Sequence, residues 1–98
     1  MIGGWKPLDL NSKEVQNLGM KIVEKYNSES DEDVKFNKVS NALQQISSKT
    51  NYRLIIQTTL IEDNGKTGKI KYLDAGIFQQ PGSNIEEIDI KVLKPFEL

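Results

Sequence analysis

Between Asn11 and Tyr26 the apolar residues return every third or fourth position, as Val15, Leu18, Ile22, Val23 and Tyr26. That spacing lays them along one stripe of an α-helix, predicted over residues 11–27. Asn11 is placed to cap the first free amides, and Glu14, three residues on, to complete a capping box. A helix this short is marginal alone in water, so its stripe must be covered. Gly19 costs helix propensity but lets the helix approach a covering sheet closely. From Val34 onward the apolar residues alternate with polar ones, as in strands. Val34 to Ile46 is the first strand, with a break of phase at Val39 that suggests a bulge. Asn51 to Asp63 is the second. Tyr52, Leu54, Ile56, Thr58 and Leu60 share one of its faces, and Arg53, Ile55, Gln57, Thr59 and Ile61 the other. Both faces carry apolar residues, so the pattern does not choose the helix side.

Turn residues separate these strands. Ser47-Ser48-Lys49-Thr50 closes the first pair, and Asn64-Gly65 is the strongest hairpin signal in the chain. Lys69 to Gln80 is the third strand, in which Gly76 marks a bulge or a close contact. Pro81-Gly82 makes the next turn. Asn84 to Leu98 is the last strand, ended by Pro95. Residues 1–10 form an arm: Gly3-Gly4 is flexible, Trp5 and Pro7 stiffen the segment after the glycines, and Leu8 and Leu10 pack beside the helix. The class is α+β in a single domain, 1–98, with the arm at 1–10, the helix at 11–27 and the sheet at 34–98. One helix is wrapped by an antiparallel meander of four strands, with the arm as an optional fifth. In a meander the turns at Ser47–Thr50 and Pro81-Gly82 emerge at one end, and Asn64-Gly65 at the other. An arm that runs to the first end makes a row of three segments.

Composition narrows the chemistry. The 98 residues contain neither cysteine nor histidine. Disulfides, a thiol nucleophile and thiolate metal sites are excluded, and so are the usual general base and the commonest zinc ligand. No cofactor and no metal ligand set is predicted. The 13 basic and 14 acidic residues leave a net charge of −1 without a basic block, which argues against nucleic-acid binding. No apolar run is long enough to span a membrane. The acidic stretch Asn27 to Asp33 lacks the glycine and terminal glutamate of a calcium loop and reads as solvated. Glu62-Asp63 and Glu86-Glu87 with Asp89 are paired carboxylates of the kind acid–base catalysis uses, but they flank turns and strand edges. No catalytic residue is assigned.

Gly3-Gly4-Trp5, a helix ending Glu24-Lys25-Tyr26-Asn27, Gln45 five residues before Thr50-Asn51-Tyr52, and Gln80-Pro81-Gly82-Ser83-Asn84 succeed one another in this order. Together they resemble the cystatins over essentially the whole chain, most closely the small, disulfide-free stefin branch. The resemblance implies reversible, non-covalent inhibition of papain-like cysteine proteases of the cathepsin class. Ile2, Gly3 and Gly4 would enter the non-primed subsites. Gln45, Ile46, Ser47, Ser48 and Lys49 would straddle the catalytic cysteine, and Pro81-Gly82 would touch the primed side. It also implies a cytoplasmic protein, since no leader is read at MIGGWKPLDL; a secreted chain with its signal removed is the alternative. The expected state is a monomer, with domain exchange through the Ser47–Thr50 hinge as a hazard.

The first hairpin departs from the family pattern Gln-x-Val-x-Gly. Ser47 stands at the valine position and Lys49 at the glycine position when Thr50-Asn51-Tyr52 sets the register. A register from Gln44 puts Ile46 and Ser48 there but needs one more residue before Thr50. The departure leaves a second expectation open, a non-inhibitory cystatin-fold module that binds another protein.

Overall fold

The computed structural model describes residues 4–46, 49–79 and 86–94. Its elements are β1 (Lys6–Pro7), α1 (Lys13–Glu29), β2 (Asp33–Ile46), β3 (Thr50–Ile61), β4 (Thr67–Gln79) and β5 (Glu86–Val92). The strands form one antiparallel sheet in the order β1-β2-β3-β4-β5. The expected meander is present, and the arm supplies the fifth strand. No described helix is long and apolar enough to cross a membrane.

The helix differs from expectation at both ends. Ser12, not Asn11, is the N-cap, and its Oγ accepts the Val15 N–H at 3.2 Å. The Asn11 N–H is instead taken by Asp9 Oδ1. Glu14 therefore does not close a capping box; it turns to the sheet and accepts the Tyr52 hydroxyl at 3.0 Å. At the far end the helix runs on through Ser28 and Glu29 before Ser30 N–H closes on Tyr26 O. Asn27, in this last turn, ties the helix to the sheet. Its Nδ2 donates to Val34 O and its Oδ1 accepts Val34 N–H, both at 2.9 Å, so one amide clasps the start of β2 as another strand would.

The helix stripe and one sheet face enclose the core. Val15, Ile22 and Val23 meet Val34, Val39, Ala42, Leu54, Ile56, Leu73, Ala75 and Ile77, all buried. Leu8, Leu10, Leu18 and Tyr26 pack around it. The face of β3 that the pattern left open is settled: Leu54, Ile56 and Thr58 point to the helix. Buried Thr58 satisfies its hydroxyl by donating to Lys71 O. Gly19 sits where α1 touches β2. A Cβ there would lie 2.7 Å from Val39 Cγ2 and 2.8 Å from Phe36 Cε1, well inside van der Waals contact.

The phase break in β2 proves to be two register shifts, at Phe36/Lys38 and Val39/Asn41, where Asn37 and Ser40 are the extra residues. Each adds local twist and bends the strand around the helix. Asn37 is not wasted, since its Nδ2 donates to Thr59 Oγ1 at 2.7 Å. Gly76 is a close contact and not a bulge. Pairing runs through it without a shift, and a Cβ there would meet the Phe78 ring at 2.5 Å. Gly65 carries the positive φ that its turn requires, +81°.

Candidate functional site: one end of the sheet

The register of β1 on β2 decides where the arm goes. Lys6 lies opposite Gln44 and Pro7 opposite Leu43. Pairing is antiparallel, so the chain before Lys6 runs toward Ile46 and the first hairpin. β4 finishes at Gln79 and β5 starts at Glu86 at this same end, while Gly65 lies at the other. Three chain segments therefore converge, as the strand order predicts.

Of the ten residues that the resemblance assigns, four are described: Gly4, Gln45, Ile46 and Lys49. Ile2, Gly3, Ser47, Ser48, Pro81 and Gly82 lie outside the described residues. Gln45 pairs with Asn51 and Ile46 with Thr50, so the loop between them is short. Ile46 leaves 58 % of its surface exposed, which makes it an apolar tip on a polar strand end. Lys49 is half-buried just before β3.

The stems of the two hairpins are tied together, a feature that strand patterning does not reveal. Gln79 N–H donates to Asn51 Oδ1 at 3.0 Å, where the backbone ladder between β3 and β4 has ended. Gln79 Nε2 donates to Glu86 Oε2 at 3.0 Å, and Glu86 Oε1 is paired with Lys21 on the helix. Tyr52 reaches Glu14 on the first turn of the helix. Burial, the hydrogen bond to Glu14 and the Glu14 and Glu86 charges push the Tyr52 phenol above its ordinary value. It is a neutral donor at any physiological pH. The end of the sheet is thus braced against itself and against α1, as a surface that binds without rearrangement requires.

Trp5 was legible only as a stiff residue in the arm. It lies, 38 % exposed, along the sheet face away from the helix. There it lines a shallow groove of about 400 Å³ with Arg53, Gly76 and Phe78. The signal was Gly76 two residues before Phe78 on one strand face, a bare patch beside a ring. A larger concavity of about 690 Å³ lies at the opposite end, around Asp31, Asp33, Glu62 and Asp63. Among the described residues no group of acidic side chains is arranged to hold a metal ion.

One helix wrapped by a five-stranded antiparallel meander is a cystatin-like α+β fold. Solved structures agree on the fold. The chain aligns with Al-CPI over 93 % of its length and 100 % of that chain, at 23 % identity and a TM-score of 0.75. Mialostatin, a gut cystatin from the hard tick Ixodes ricinus, aligns over 94 % of this chain and 99 % of its own, at 20 % identity and a TM-score of 0.71. At such identities these likenesses establish the fold. The sequence goes further. Residues 8–88 match the family model described as SQAPI, aspartic acid proteinase inhibitor, and the chain belongs to that family. It is also 36 % identical over 55 residues to cysteine proteinase inhibitor 1 of Actinidia chinensis var. chinensis, covering 55 % of this chain and 47 % of that protein. The chain spans about half the length of the curated relatives it matches.

Proposed function

We propose that this protein is a reversible, non-covalent inhibitor of papain-like cysteine proteases and has no catalytic activity of its own. The meeting of the β1 start, the β2 and β3 ends at Ile46 and Thr50, and the β4 and β5 ends at Gln79 and Glu86 at one braced end of the sheet carries this reading. Ile2, Gly3 and Gly4 would occupy the non-primed side. Gln45 to Lys49 would cover the catalytic cysteine, and Pro81-Gly82 the primed side. Nothing reacts in this scheme. Preorganised turns lose little entropy on docking and exclude substrate from the groove. The relatives named as cysteine proteinase inhibitors support the target class.

Ser47 and Lys49 weigh against the tightest binding. Loss of valine contact and a long charge in the turn together cost about 3–4 kcal/mol, or roughly 10²- to 10³-fold in Kd. That departure, with the family match, favours a second reading in which the same end engages an aspartic proteinase. Titrating active papain and a pepsin-like aspartic proteinase, and reading residual peptidase activity, separates the two. Inhibition of papain that weakens on deletion of residues 1–4 and tightens in S47V/K49G supports the first. Inhibition of the aspartic enzyme alone supports the second. Failure against both would leave a binding module for a protein that is not a protease.

A further inference from the structure

The two edges of the sheet are unequal. β1 is only Lys6–Pro7, with a proline that cannot donate to a further strand. β5, Glu86–Val92, is the other edge; it pairs with β4 without a shift and contains no proline. Its outward hydrogen-bonding groups can be identified. Leu93 donates its N–H to Tyr72 O, one step beyond the Leu73–Val92 pair. Backbone direction alternates along a strand, so Glu87, Asp89 and Lys91 turn their N–H and C=O toward β4. Ile88, Ile90 and Val92 turn theirs toward the open edge.

We propose that β5 is a homodimerisation edge, at which two copies pair antiparallel about Ile90 to make one continuous sheet. Three features select this register. Backbone parity is satisfied, because Ile90 meets its own copy and Ile88 meets Val92, all with outward-facing groups. Charge is complementary, because Asp89 of each copy stands opposite Lys91 of the other, in the pairing where side chains lie closest. Of the neighbouring registers of the same parity, the one centred on Lys91 sets Lys91 against its own copy. The one centred on Asp89 opposes Glu87 to Lys91 but sets Asp89 against its own copy at the axis, whereas the register about Ile90 opposes no like charges. Apolar surface is matched as well. Ile88 and Ile90 are half-buried beside open grooves between β5 and α1, and Val92 is 39 % exposed. Pairing adds the partner's isoleucines and valine to that row. Lys91 already has an interaction within its own chain, to which the partner's carboxylate is added. The two-fold axis crosses the strands, so the braced ends of the two copies point in opposite directions and both stay open.

The interface is small, and the dimer is expected to be weak. Sedimentation equilibrium of the full chain from about 20 µM to about 1 mM covers the range in which interfaces at the low end of the size classes assemble. The average mass should rise from one chain toward two. D89K and K91E each set like charges across the axis and should weaken association about tenfold or more, while an equimolar mixture of the two restores opposite charges and association. I90P removes an N–H that faces outward and leaves the β4 ladder its bonds; it should stay folded by circular dichroism and be monomeric. A wild-type monomer throughout, a mixture that fails to associate, or a dimer indifferent to D89K, as exchange through residues 47–50 would give, overturns the proposal.

Discussion

Gly19 is the residue on which the helix–sheet distance depends. Alanine gains about 1 kcal/mol of helix propensity over glycine. Here its methyl would collide with Val39, a β-branched side chain with little rotamer freedom, and with the Phe36 ring. Overpacking of this kind costs about 1–3 kcal/mol. G19A is therefore expected to lower the melting temperature by several degrees, the reverse of an exposed helix position. Asn27 makes a comparable point in polar terms. N27A leaves both backbone groups of Val34 without their partner, at a cost of about 1–3 kcal/mol. N27D keeps the acceptor but sets a carboxylate oxygen against the Val34 carbonyl, so it should recover little. Denaturant midpoints of the three variants test both statements. Gly19 was readable as a close approach from its place on an apolar stripe. Asn27 was not, because its partner is seven residues away in a different element.

At the level of elements, the loop between α1 and β2 is less passive than its composition suggests. Glu32 accepts the Tyr26 hydroxyl at 2.9 Å and pairs with Lys71 on β4, which joins the helix, the loop and the sheet. The Lys71 and Tyr26 hydrogen bonds hold its carboxyl below the ordinary carboxylate range. A depressed folded-state pKa means that the folded chain binds this proton less readily than the unfolded one. The stabilisation is thus complete above about pH 4.3, the unfolded value, and is lost as pH falls through the lower folded value. E32Q should be less stable than wild type at pH 7, with the gap closing below about pH 4. A gap that persists at pH 2 would mean that packing, not charge, makes the difference. A run of carboxylates reads as solvated until a lysine from another strand is placed beside it, and only the fold does that.

The molecule has two ends, and they are expected to behave independently. Asn51 belongs to the braced end. N51A removes the acceptor for Gln79 N–H and should loosen the second hairpin, weakening inhibition more than stability. Gly65 belongs to the other end. G65A forces an L-residue into positive φ, at a cost of about 1–2 kcal/mol. It should lower the melting temperature and leave the inhibition constant unchanged. Thermal unfolding and a protease titration on both variants decide whether binding resides where the three segments meet.

The sequence by itself determined the class, the strand order and the side on which the turns emerge. These arise from local causes: periods of 3.6 and 2, and turn residues at Asn64-Gly65. Antiparallel neighbours joined by short turns then leave little choice of topology. Order and spacing of short motifs also carried the cystatin likeness, which no period implies. Tertiary structure decided the rest. It chose Ser12 over Asn11 as the cap and paired Glu14 with Tyr52 on β3. It chose the helix-facing side of β3, split one expected bulge into two, and laid Trp5 beside Phe78. Each of these is a competition between groups far apart in the chain. Only packing, by bringing the competitors into contact, lets one of them win.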